Sequence, residues 1–227
     1  MELFHTLNRG VDKRNIFLDD NDRFRFIHNL YEFNDQNSLS NNARVFKSSQ
    51  LSNMAGRELE SKRKPRKLLV DIHCFCLMGD HYHLLLNPRV EKGVSKFMKK
   101  LNMGYAKYFN HKYKRTGTLF ESRYKSVPIT SESHFVHIPY YIHLNPLDFF
   151  SPEWRNRTIK KPKAAVEFLE SYRWSSFPDY IGRKNFPSVT SRGFLLKFLG
   201  GVRNYKSETV SWIRDMDFDS ISGLVLE

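Results

Sequence analysis

Several features of a secreted or membrane protein are missing from this sequence. Its 227 residues include two cysteines, Cys74 and Cys76, set two apart inside an apolar run. That spacing excludes a disulfide framework. No stretch approaches the roughly 20 apolar residues a membrane-spanning helix requires. Met1-Glu2-Leu3-Phe4-His5 has neither the basic nor the apolar region of a secretory signal. A cytoplasmic protein is the expectation. Internal repeats are lacking. Acidic residues are scarce, 24 Asp+Glu against 37 Lys+Arg, so the formal net charge is +13.

Such an excess implies a polyanion, with nucleic acid ahead of a membrane surface. From Lys92 to Lys125 ten Lys/Arg face one acid, Glu121, a local +9. From Asn204 to Glu227 two bases face five acids, a local −3. A solvated face is the plain account of a basic run. Here the run also carries Tyr105, Tyr108, Phe109, Tyr113, Phe120 and Tyr124, and unpaired bases stack on aromatic rings in cationic grooves. Some of these rings must belong to the core.

Patterning divides the chain into elements. Leu3 to Asn8 forms a short strand before the turn Arg9-Gly10. Asp19 or Asp20 caps a helix through about Phe33, with Phe24, Ile27, His28 and Tyr31 at helical spacing. Residues 34–67 turn polar, an exposed insertion with a short helix near Ala55 to Lys62. Leu68 to Met78 and His81 to Asn87 flank the turn Gly79-Asp80 and read as a hairpin. Val94, Phe97, Met98, Leu101, Tyr105, Tyr108 and Phe109 mark an amphipathic helix of about five turns, broken at Thr116-Gly117. Leu119 to Ile129 reads as a strand. Ser131 or Ser133 caps a further helix toward Leu144, closed by Asn145-Pro146, and Pro139 suggests a restart within it. The order predicts an α+β fold, a ferredoxin-like βαββαβ antiparallel sheet with helices on one face. One more helix and a C-terminal segment follow, the latter with a helix at Phe194 to Leu199.

Two constellations could carry chemistry. In His81-Tyr82-His83 a strand projects both imidazoles on one face and Tyr82 on the other. Such a pair can chelate a divalent cation; two ordinary strand histidines is the alternative. In Tyr141-Ile142-His143-Leu144-Asn145 a helix sets Tyr141 and Asn145 on one face. A phenol ionises near pH 10, so as a nucleophile it needs a cation or a base beside it. Aromatic packing on the sheet is the competing account.

Taken in order, these pieces resemble the single-tyrosine HUH transposases, and within them the REP-associated tyrosine transposases. The resemblance rests on Phe4-His5-Thr6-Leu7-Asn8-Arg9-Gly10, Ile16-Phe17, Cys76 to Leu85, Leu101 to Asn110, Gly117 to Ser126, Tyr141 to Pro146 and Trp174-Ser175-Ser176, about residues 3 to 182. It implies a transposase domain over residues 1–150, with the insertion 34–67, and a C-terminal extension over 151–227. It implies that His81 and His83 bind Mg²⁺ or Mn²⁺ with Asn145 as third ligand, and that Tyr141 is the nucleophile. The implied substrate is single-stranded DNA near a hairpin, cleaved through a 5′-phosphotyrosine by a monomer or homodimer. Arg9, Lys96, Lys99, Lys100, Lys107, Arg115, Arg123 and Lys125 are the candidate DNA contacts. Gly79-Asp80 departs from the family's more usual Pro-Asn, and Pro139 is unusual just ahead of the tyrosine. The rival readings are an autonomous insertion-sequence transposase, a domesticated hairpin-binding regulator without catalysis, and an RNA-binding module of similar topology.

Overall fold

The computed structural model describes residues 2–37, 66–156 and 159–215. Most of the expected insertion, including its helix near Ala55 to Lys62, lies outside these, as does the acidic tail beyond Asp215. Four strands, β1 (Leu3–Arg9), β2 (Val70–Leu77), β3 (His81–Pro88) and β4 (Lys125–Ile129), form one antiparallel sheet in the order β2-β3-β1-β4. Helix α1 (Asp20–Glu32) follows β1, α2 (Gly93–Lys112) follows β3 and α3 (Glu132–Leu144) follows β4. Beyond them come α4 (Pro162–Ser171), α5 (Phe177–Tyr180), α6 (Gly193–Phe198) and α7 (Gly201–Asp215).

Local chemistry sets the helix starts. Asp19 accepts from the Asp22 amide while the Asp22 side chain reaches back to the Asp19 amide, a reciprocal capping box. Ser131 caps α3 through the His134 amide. The polar segment leaves α1 through a pinned neck. The buried Asn34 accepts from the amides of Leu69 and Val70 and donates to the Val70 carbonyl.

The sheet is covered on both faces. Phe75, Leu77, Tyr82, Leu84 and Leu86 pack with α1 and α2, whereas Cys74, Cys76 and Leu85 pack with α3 and the helices after it. So α1 and α2 occupy one face as expected, and the opposite face is a second core rather than open surface. Burial on both faces explains the long, largely apolar run of β2, and a bulge lies between Ile72 and Cys74. The extra residue reverses the alternation, so Ile72 and Phe75 share a face despite odd spacing.

Two expectations need correcting. The last strand spans Lys125–Ile129, not Leu119 to Ile129; Leu119 and Phe120 are buried, but only an isolated bridge joins Phe120 to Gly10. From the Leu7–Lys125 pair to that bridge, β1 advances three residues and its partner retreats five. The mismatch breaks the ladder. Helix α3 does not restart at Pro139 but runs through it, which puts Tyr141 in its last turn. Asn145 keeps helical angles (φ −49°, ψ −37°) despite Pro146, because its amide and its Nδ2 both bond the Tyr141 carbonyl.

Helix α3 is held by its burial. Ile138, Ile142 and Leu144 are buried, each contributing about 1.5–3 kcal/mol. Tyr140 stacks on Tyr205 and Trp212 of α7. His143 bonds Tyr205 Oη and Ser176 Oγ, both at 2.7 Å. Ser176 belongs to the Trp174-Ser175-Ser176 segment, which pairs along the β2 edge.

Candidate active site

The face of the sheet turned toward α3 gathers the chemistry. Cross-strand register sets Arg9 opposite His81 and Leu7 opposite His83, so alternation puts His5, Arg9, His81 and His83 on that face. The His81 and His83 rings lie 5.0 Å apart, centroid to centroid. Tyr82 points the other way and its hydroxyl donates to Asn102 of α2. The Tyr141 ring meets both His5 and His83 edge-on, each at 5.9 Å between centroids. The imidazole pair and the phenol are therefore brought together within one chain.

Each histidine is oriented from behind. His5 Nε2 lies 3.0 Å from His83 Nδ1 with the rings stacked. Asp80 Oδ1 lies 2.5 Å from His81 Nδ1, and its Oδ2 pairs with Arg9 Nε at 3.2 Å. Burial would raise the Asp80 carboxyl, but the His81 hydrogen bond and the charges of His81 and Arg9 outweigh it and hold it below the usual range. Burial, reinforced by His81, His5, Arg155 and Arg9, keeps the His83 imidazole well below its ordinary pKa and hence neutral. Both Nδ1 atoms are engaged, which leaves Nε2 of each ring as the atom offered to a ligand.

A divalent cation fits this donor set. His83 Nε2 is buried and has no hydrogen-bond partner, an arrangement that costs about 1–3 kcal/mol unless a ligand takes up the nitrogen. Among the described residues no group of three or more His, Cys, Asp or Glu is suited to a metal. The pair would thus hold an ion whose remaining positions are filled by oxygen donors.

Asn145 is buried beneath α3. Its Nδ2 donates to the Tyr141 carbonyl and its Oδ1 accepts from Arg155 Nη2 at 3.1 Å. Arg155, in the turn Pro152–Asn156, also forms a bidentate pair with Asp148 at 2.9 and 3.0 Å. Its Cζ also lies 5.9 Å from the Tyr141 ring centroid. Burial would lower the guanidinium, but Asp148 and Tyr141 raise it and keep it charged.

The candidate DNA contacts divide between layers. Arg9 lies beside His81, and Lys125, opposite Leu7, sits on the same face at the sheet edge. Lys96, Lys99 and Lys107 are exposed on α2, which covers the other face. Arg123 is exposed just before β4. Lys100 is tied to the carbonyls of Asp35 and Asn37, and Arg115 to Asn110. The aromatic residues expected to stack on bases are mostly structural: Tyr105 and Phe109 are core, and the Tyr108 and Tyr113 hydroxyls donate to Asp22.

Residues 62–145 match the family model described as Transposase IS200 like. Over that stretch the chain is similar to the IS200-like transposases. The match spans His81, His83, Tyr141 and Asn145 and stops short of His5 and Arg155 on either side. A solved structure described as a REP-associated tyrosine transposase bound to a REP hairpin is similar to the chain, with 12% identity, 84% of each chain covered and a TM-score of 0.43. No curated protein matches the chain.

Sequence reasoning missed His5, Asp80 and Arg155 as members of the site. His5 and Asp80 lie inside quoted motifs, but their partners are set by strand pairing. Arg155 carries no sequence signal of its own; only the fold of the Asp148 turn brings it to Tyr141.

Proposed function

We propose that this IS200-like transposase domain is a metal-dependent single-stranded DNA endonuclease and strand transferase acting near hairpins. Tyr141 is the nucleophile and His81 and His83 hold Mg²⁺ or Mn²⁺; Asn145 is the candidate third ligand, and to serve as one its Oδ1 would take the ion on the lone pair that Arg155 leaves open. The observation that carries this reading is the Tyr141 ring against His5 and His83 on one sheet face. A histidine pair suits Mn²⁺ at least as well as Mg²⁺. When bound, the cation withdraws charge from the phosphodiester and orients it.

The chain's own residues do the rest. The Tyr141 oxygen forms a bond to phosphorus, the bond to the 3′-oxygen breaks, and the phenolic proton passes to solvent while the leaving oxygen gains one. The 5′-phosphotyrosine conserves the ester, so another 3′-hydroxyl can reverse the step and join a new strand without ATP. Arg9 and Lys125 line the same face and attract the phosphate.

Tyr141 and His83 are fully buried, whereas His81 is slightly exposed. A DNA phosphate therefore reaches the phenol only after local opening, entering from the His81 side. That burial also favours a second reading, a hairpin-binding regulator that does not cut. Incubation with a labelled single-stranded hairpin oligonucleotide and Mn²⁺, followed by a denaturing gel, separates the two. A slow-migrating covalent species supports the nuclease; tight binding with no such species supports the regulator.

A further inference from the structure

We propose that Arg155 is a catalytic residue, the cation that touches the Tyr141 oxygen and then the phosphate transferred to it. The inference rests on the reading of Tyr141 as nucleophile and lies outside the stretch matched by the family.

Three contacts fix the guanidinium before any substrate arrives. Nε and Nη2 grip the two Asp148 oxygens and Nη2 also reaches Asn145 Oδ1. Asp148 is fixed in turn by the Trp154 indole, whose Nε1 donates to Oδ1 at 2.6 Å. Asn145 is held against the last turn of α3. The plane of the guanidinium is thus referenced to the same turn that carries Tyr141. Such preorganisation is what an electrostatic catalyst requires, since nothing has to be reorganised as charge moves.

The direction of the remaining contact is chemically informative. The guanidinium carbon lies 5.9 Å from the Tyr141 ring centroid, and an arginine has five N–H donors and no acceptor, so where the guanidinium meets the Tyr141 hydroxyl the phenolic oxygen accepts. That leaves the hydroxyl proton directed elsewhere and the oxygen facing a permanent cation. As the Tyr141 oxygen bonds phosphorus and the 3′-oxygen departs, negative charge spreads over the phosphoryl oxygens beside that cation. Arg9 and the histidine pair attend the sheet side; Arg155 attends the helix side. A surface arginine would gain little from such a position, but this one is three-quarters buried, where charge contacts are less screened.

The alternative role for the same residue is a cover, because the turn Pro152–Asn156 also brings Trp154 to within 6.5 Å of the Tyr141 ring. The two roles predict opposite kinetics. Single-turnover cleavage of a hairpin oligonucleotide with Mn²⁺, at saturating DNA, is compared for the wild-type chain, Arg155→Ala and Arg155→Lys, with DNA affinity measured separately by anisotropy and folding by thermal melting. The expected result is a loss of about 10²–10³-fold in rate for Arg155→Ala, with affinity changed only a few-fold and activity partly restored by added guanidinium. If Arg155→Ala does not fold, Arg155→Lys decides: it keeps the charge without the planar fork, and at least a tenfold loss is expected. An unchanged or faster rate in the folded variants overturns the proposal and makes the arginine a cover. A wild-type chain that forms no adduct at all removes the nucleophile reading itself, a distinguishable failure.

Discussion

His5 Nε2 stands 3.0 Å from His83 Nδ1 across the β1–β3 pair, and this contact determines which nitrogen His83 presents. For Nε2 to donate its lone pair to a cation, the Nδ1 proton must lie between the two rings, with His5 as acceptor. Histidine ligands held this way by a second group typically lose 10–100-fold in metal affinity when that group is removed. His5→Ala should therefore weaken Mn²⁺ binding by about that factor, measured by calorimetry or Mn²⁺ EPR without DNA. His5→Gln, which can still accept, should lose less. Equal affinity in wild type and His5→Ala would detach His5 from the site.

Asp80 plays the corresponding part for His81, with Arg9 on its other oxygen. Asp80→Ala frees the ring to rotate and should weaken Mn²⁺ binding about tenfold. Asp80→Asn retains an acceptor for the His81 Nδ1–H and should sit between the two. The same titration checks both variants, and an Asp80→Asn chain weaker than Asp80→Ala would contradict this geometry.

The split of basic residues between the two layers has a kinetic consequence. Lys96, Lys99 and Lys107 lie on the layer away from Tyr141, so replacing all three by Ala should weaken DNA binding and lower the salt slope by about 2, roughly 0.7 per cation on a single strand. Cleavage at saturating DNA should be unaffected. Lys125→Ala, on the catalytic face, should slow cleavage at saturation. Salt-dependent anisotropy with single-turnover rates tests the division; a triple variant that binds normally would remove α2 from the DNA path.

Acid should unfold the protein early. Burial depresses the His143 pKa from 6.5 to about 3, and burial also lowers His73 and His83. Between pH 6.5 and 3 the unfolded chain takes up protons that folded His143 refuses, so stability is complete above pH 6.5 and falls as pH drops, by up to about 1.4 kcal/mol per pH unit per such histidine. The lowered carboxyls of Asp19, Asp71 and Asp80 add a further loss at more acid pH. Denaturant midpoints should stay level from pH 8 to about 6.5 and decline from there to pH 4, and a profile flat throughout would contradict the neutral burial of His143.

What the sequence revealed was what local chemistry decides. The Asp19 and Ser131 caps, the Gly79-Asp80 turn and the α2 stripe depend on neighbours within a few residues, and all stand where spacing put them. The strand at 119–129 was overextended because an apolar pair, Leu119-Phe120, is buried without joining a ladder. Pro139 suggested a helix break, but the burial of Ile138 and Ile142 in the core and the stacking of Tyr140 on α7 override one lost hydrogen bond. At the site, His81, His83 and Tyr141 were legible as motif residues. His5 and Arg155 were not, since each acquires its role only when β1 pairs with β3 or the Asp148 turn folds back on α3.

The most direct test of the whole account is to locate the covalent bond. Hairpin DNA is incubated with the protein and Mn²⁺, the mixture is digested with protease and nuclease, and peptides carrying nucleotide mass are fragmented. A nucleotide on Tyr141, absent from Tyr141→Phe although that variant still binds the hairpin, is the predicted result. A nucleotide on any other side chain, or an undiminished adduct in Tyr141→Phe, would contradict it.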